Sequence, residues 1–166
     1  MSLLGSAHTA SAVAALAAGA AVLLLTKGTR THRRLGWLYV ASMLALNGTA
    51  LLVYRLFGGF GPFHVAALFS LATVVAGVVP AVRRRPPRRW VERHYGLMTF
   101  SYVGLVAAGV SEAATRLPGV VFWWAVALPT AAVLVAGSVL IRRRARATLA
   151  PFLRAPRPPA SQQPAA

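Results

Sequence analysis

Residues 4–57 read LGSAHTASAVAALAAGAAVLLLTKGTRTHRRLGWLYVASMLALNGTALLVYRLF. Two apolar runs, near 4–26 and 35–57, flank a basic polar stretch from Lys27 to Arg34. Each run matches the length, about 20 residues, that a helix needs to cross the hydrocarbon core of a bilayer. Two spans joined by a short basic loop form a transmembrane hairpin, and the rest of the chain repeats the pattern. Further apolar runs lie near 62–82, 94–117 and 119–141, joined by Gly58–Gly61, by Arg83–Arg93 and by a turn at Leu117-Pro118-Gly119. The fold class expected is an all-α integral membrane protein with five transmembrane helices.

Composition supports this. The 166 residues are 57% hydrophobic and only 12% charged, with a mean hydropathy of +0.62, too apolar for a soluble domain of this size. The net charge of +16 in a soluble protein would suggest nucleic acid, but the positions of the cations argue for a membrane instead. The absence of cysteine excludes disulfides, thiolate metal sites, iron–sulfur clusters and C-x-x-C-H haem attachment. With two Glu and no Asp, carboxylate-pair hydrolysis and carboxylate-rich metal sites are excluded too. Walker, Rossmann and H-E-x-x-H patterns are missing, which argues against an ATPase, a dehydrogenase or a zinc protease.

Sixteen of the 18 Lys and Arg fall in the first loop, the third loop and the segment after Ile141, leaving Arg55 and Arg116 elsewhere. Short basic loops stay in the cytoplasm, so the expected orientation is N-terminus outside and C-terminus inside, in a bacterial inner membrane. The first 26 residues carry no basic region ahead of the apolar run, which marks a retained helix rather than a signal peptide. Aromatic belts are expected at Trp37, Tyr39, Trp90 and Tyr95 on the inner side, and at Tyr54, Phe57, Phe60, Phe63, Phe122, Trp123 and Trp124 on the outer. Pro80 and Pro129 are expected to kink or end helices 3 and 5. The transmembrane domain is assigned to 1–146, and the basic, Pro/Ala-rich remainder, 147–166, to a disordered cytoplasmic tail.

Helices in lipid associate through small and polar residues. Helical spacing aligns His8, Ala12, Ala15, Gly19 and Val22 on helix 1, and His32, Gly36, Tyr39, Met43, Asn47, Ala50 and Tyr54 on helix 2. On helix 4 the stripe runs from His94 through Met98, Ser101 and Leu105 to Glu112. A polar cluster of Glu112, Arg55, Arg116 and Asn47 is expected from these faces. Its simplest content is an ion pair of Glu112 with Arg55 or Arg116, with Asn47 as interhelical hydrogen-bond glue.

The four histidines form a repeat: His8 and His64 at the outer ends of helices 1 and 3, His32 and His94 at the inner ends of helices 2 and 4. In a four-helix bundle with helix 5 packed on its side, alternate helices are diagonal neighbours. His8 then faces His64, and His32 faces His94. Imidazole pairs are haem ligands, and Arg30 and Arg33 beside His32 suit haem propionates. This layout is similar to that of the two-haem b-type membrane cytochromes. The plainer alternative is that interfacial histidines cap helices and touch headgroups.

The run Lys27-Gly28-Thr29-Arg30-Thr31-His32-Arg33-Arg34-Leu35-Gly36-Trp37-Leu38-Tyr39, together with Gly58-Gly59-Phe60-Gly61-Pro62-Phe63-His64, Glu92-Arg93-His94-Tyr95 and Ser111-Glu112, resembles a bacterial family of multi-pass membrane proteins of unknown function. The resemblance covers about residues 5–145. It implies a fold and topology, no activity, and attention to His32, His64, His94 and Glu112.

Two functions are compatible with these readings. One is electron transfer by haem b held between His pairs, with a quinone or another membrane redox protein as partner. The other is a non-enzymatic role, either as an assembly or interaction partner or as a small carrier moving a proton or solute along Asn47, Glu112, Arg55 and His64. In both, the lipid bilayer is a partner, self-association stays open, and nucleic acid is not expected.

Overall fold

The computed structural model describes residues 2–54, 58–85 and 89–153. They form five helices: α1 (Leu3–Leu24), α2 (Arg30–Leu51), α3 (Pro62–Arg83), α4 (Trp90–Ala114) and α5 (Phe122–Leu153), with no strand among the described residues. Four of them, α1, α3, α4 and α5, are by themselves long and apolar enough to cross a membrane. α2 is less apolar because it carries Arg30, His32, Arg33 and Arg34 in its first turns and buries Ser42 and Asn47. Its neighbours in the bundle cover Ser42 and Asn47, while Arg30, Arg33 and Arg34 stay exposed.

Local chemistry sets the boundaries. Ser2 Oγ accepts from Gly5 N and opens α1, and Thr29 Oγ1 accepts from His32 N and opens α2, both ordinary N-caps. The Thr29 cap starts α2 five residues ahead of the apolar run at Leu35, so the helix also ends earlier than expected, at Leu51. Gly28, at φ +81°, supplies the left-handed step between α1 and α2. Lys27 Nζ donates to the carbonyls of Val22, Leu23 and Leu25, closing the C-terminus of α1. Burial there holds the Lys27 ammonium below the usual lysine range. Pro62 occupies the first position of α3, where its missing N–H costs nothing.

The helices pack as a ring in which α1 neighbours α2 and α4, and α3 neighbours α2 and α4, while α5 packs on α4. α1–α4 are therefore the core bundle, with α5 on its side. Tyr39, Val40 and Met43 of α2 meet Ala15 and Ala18 of α1, Val74 of α3 and Leu105 of α4 in the core. Ser101 Oγ donates to the Met98 carbonyl, so its lone pair takes the proton of Tyr39 Oη at 2.9 Å, which ties α2 to the diagonally opposite α4. Tyr39 is thus a core residue, 3% exposed, and not part of an aromatic belt. Its place on the inward stripe outweighs its position near the helix end. Gly19 makes room for this arrangement, because a Cβ there would run into the Tyr102 ring. Ser111 Oγ contacts Thr130 Oγ1 at 2.9 Å and joins α5 to α4.

α3 and α5 run through Pro80 and Pro129 without interruption in helical assignment. α5 also continues past Ile141 to Leu153, so 147–153, expected as tail, are helical. The segment keeps Ile141, Ala145, Thr148 and Leu149 on one half-buried face at helical spacing. Residues 154–166 lie outside the described residues, as do Arg55 and Phe57.

Candidate functional site

All five helices converge at the arginine-rich end around a cavity of about 390 Å³. Val22 and Leu23 of α1, Lys27 and Gly28 of the first loop, and His32, Arg33 and Gly36 of α2 line one side. Val78, Val82 and Arg84 from α3, Trp90, His94 and Met98 from α4, and Thr148, Leu149 and Phe152 from α5 line the other. The inner-end histidines expected to share a gap do line one cavity, Met98 among its apolar walls. Met43, on the same stripe of α2 as His32, is instead 1% exposed in the core.

The two imidazoles are held differently. His94 Nδ1 lies 2.9 Å from the Gly77 carbonyl. A carbonyl only accepts, so Nδ1 carries a proton, and Nε2 is the nitrogen on which the ring's lone pair can stand. Gly77 allows this contact by letting α3 approach α4. A Cβ there would stand 2.8 Å from Met98 Sδ and 3.1 Å from Leu97 Cβ. His32 belongs to the polar first turn of α2, ahead of the apolar run, and its Nδ1 is buried with no hydrogen-bond partner. Burial lowers the His32 pKa most, followed by the charges of Lys27 and His94, with the Val22 carbonyl opposing them. A buried, neutral imidazole is a ready metal ligand.

Among the cations, Arg33 and Arg84 line the cavity with Lys27, whereas Arg30 does not. Lys27 has its donors committed to α1 carbonyls, which leaves Arg33 and Arg84 as the basic groups beside the histidines. Arg84 sits at the C-cap of α3 in a left-handed conformation, φ 50°. Sequence reasoning assigns it to topology; its one local signal is that it follows the last turn of an apolar helix.

The opposite end is arranged otherwise. His8 Nδ1 lies 3.0 Å from Thr49 Oγ1. The Thr49 hydroxyl donates to the Ala45 and Leu46 carbonyls, so His8 is the donor and the pair is an α1–α2 tie. His64 Nδ1 accepts from Gly61 N at 3.1 Å, capping α3. Its ring stacks with Tyr54 at 4.9 Å and Phe60 at 5.0 Å. With its lone pair used, the neutral ring carries its proton on Nε2, which is buried and unpartnered. His8 and His64 hold separate hydrogen bonds and neither lines the cavity that His32 and His94 share.

The expected polar cluster is dispersed. Glu112 Oε1 meets Arg116 Nη2 at 2.7 Å, one of the two expected pairings, but the side chains are 68% and 76% exposed. The carboxylate is therefore on the surface and not on the inward stripe, because the packed face of α4 at this end runs through Ala107 and Ser111. Asn47 is buried and donates to the Met43 carbonyl of its own helix. Arg55 lies outside the described residues. Among the described residues no group of three or more His or Glu side chains is placed to hold a metal ion; a two-histidine axial site would not form such a group.

The fold defines an all-helical, multi-pass membrane protein with a polar-rimmed hollow between its helix ends. Residues 5–149 match the family described as predicted membrane protein DUF2306, and the chain belongs to that family. No curated protein and no solved structure matches it significantly.

Proposed function

We propose that the chain binds haem b at its basic end, with His32 and His94 as the axial ligands, and carries electrons within the membrane. The observation behind this reading is that both imidazoles line one cavity, and that His94 is oriented through Nδ1 by the Gly77 carbonyl. Such a hydrogen bond to the far ring nitrogen is the usual way a ligating histidine is fixed in tautomer and direction. Arg33 and Arg84 are the groups for the haem carboxylates, with Val22, Val78, Val82 and Met98 for the apolar face of the ring. A haem so bound supplies one-electron chemistry, with its potential set by the two imidazoles and by burial. Under this reading the basic end faces the cytoplasm, as its arginines favour, and a quinone or a membrane redox protein is the electron partner.

The test is a visible spectrum of the full chain purified after expression with haem supplied. A six-coordinate, bis-imidazole spectrum is expected, lost in His32→Ala and in His94→Ala and kept in His8→Ala. A colourless wild type, or a spectrum indifferent to both inner substitutions, overturns the reading.

A further inference from the structure

α5 is longer than a membrane requires. Phe122–Ile141 supplies the 20 or so residues that cross the hydrocarbon core, and the helix then continues for another 12 residues to Leu153. At 1.5 Å per residue this adds about 18 Å, and Arg142, Arg143, Arg144 and Arg146 fall in its first part, directly after the apolar run. All four are exposed, and among the described residues none forms a salt bridge. The chain has only two acidic residues: Glu112 is paired with Arg116, and Glu92, in the first turn of α4, forms no salt bridge among the described residues and is one carboxylate against four guanidiniums. Most of the counter-charge for this cluster therefore comes from outside the chain. The other face of the same turns points inward: Thr148, Leu149 and Phe152 line the cavity, and the Phe152 ring lies 3.7 Å from where a Cβ on Gly28 would be.

We propose that the extension Arg142–Leu153 is an anionic-lipid-dependent cover of the cavity. Phospholipid headgroups bind the arginine face, and this holds the last turns helical with Leu149 and Phe152 against the mouth. The inference rests on the cavity and not on what fills it. Basic side chains near an anionic surface are attracted to it additively, so four of them in combination decide whether three terminal turns stay docked. Without that charge the arginines repel one another and the end of the helix frays.

The absence of cysteine makes a clean test available. Gly36 lines the cavity, and a Cβ there meets nothing within 4 Å, so Gly36→Cys places one thiol inside. An exposed reference thiol at the same end comes from Thr26→Cys. Both are reacted with a small uncharged maleimide in phosphatidylcholine nanodiscs with and without phosphatidylglycerol, and rates are taken relative to the reference. Phosphatidylglycerol should slow labelling at position 36 about tenfold. Changing the four arginines to Gln should abolish the difference, changing them to Lys should preserve it, and Phe152→Ala should give fast labelling in both lipids. Equal rates in the two lipids overturn the proposal. So does a lipid effect that survives Arg→Gln, or a rate that Phe152→Ala leaves unchanged. None of these readouts requires haem, so failure of ligation and failure of the cover are separate results.

Discussion

The two ends of the bundle carry the same residues in the same order, a histidine on each of two alternate helices, and the structure uses them in opposite ways. At the opposite end from the arginines, His64 accepts a backbone N–H and stacks between the positions of Tyr54 and Phe60, while His8 donates to Thr49. One ring caps a helix and the other ties two helices together. At the arginine-rich end His94 donates to a carbonyl and His32 keeps a buried, unpartnered nitrogen, and both line a hollow. Which nitrogen is engaged, and by what, separates the two ends, and residue type and spacing do not report it.

The strongest way to break this contrast is to remove the histidines one at a time. His32→Ala and His94→Ala should each abolish the haem absorption, whereas His8→Ala and His64→Ala should retain it. Retention in an inner variant together with loss in an outer one would reverse the assignment.

Acid provides a second, reversible test. His32 has its pKa held below the ordinary imidazole value of 6.5 by burial, Lys27 and His94. It is therefore neutral and able to ligate above that value, and takes up a proton only as the pH falls below it. Protonation competes with the metal, so haem should be released on acidification and retained near neutrality, as followed by absorbance during a pH titration. Lys27→Gln removes a nearby positive charge, raises the His32 pKa, and should move the release to higher pH.

Packing differs between the ends as well, and glycine substitutions measure it. Gly19→Ala would push a methyl into the Tyr102 ring and crowd Tyr39, 3.0 Å away. Overpacking of this kind costs about 1–3 kcal/mol, read as a lower melting temperature in detergent. Gly109→Ala, with nothing within 4 Å of its Cβ, should leave melting unchanged or raise it. At the far end His64→Ala removes the α3 cap and two ring contacts, for a loss of about 1–2 kcal/mol.

Much of this architecture was legible in the apolar runs and in the small and polar stripes. Ala15, Gly19, Tyr39, Met43, Asn47, Ser101 and Leu105 all lie on the inward faces that helical spacing assigns to them. What escaped was decided by local chemistry or by tertiary geometry. The start of α2 depended on the Thr29 hydroxyl and not on hydropathy. The end of α5 was masked by four arginines, although Ile141, Ala145, Thr148, Leu149 and Phe152 keep helical spacing through them. Arg84 joined the site through a left-handed C-cap that no composition argument foresees. Glu112 keeps the register of His94 over five turns, yet it is exposed because α4 has other neighbours at that end.

The smallest expected effect concerns that carboxylate. Glu112 and Arg116 lie one turn apart with a 2.7 Å contact and most of both side chains exposed, so the pair gains little from low dielectric and is screened by salt. Exposed pairs at this helical spacing stabilise by about 0.3–0.5 kcal/mol. Glu112→Gln should therefore shift the melting temperature marginally, and the shift should vanish at high salt. It should leave the haem spectrum and the position-36 labelling rate unchanged, since both belong to the other end of the bundle. A loss of several kcal/mol would mean that the carboxylate has a further buried partner, with Arg55 at the end of the second apolar run the first to examine through an Arg55→Gln, Glu112→Gln double-mutant cycle. A non-additive result would restore the polar cluster expected at this end and make it a lock between α2 and α4; additivity within about 0.3–0.5 kcal/mol would leave Glu112 a surface residue.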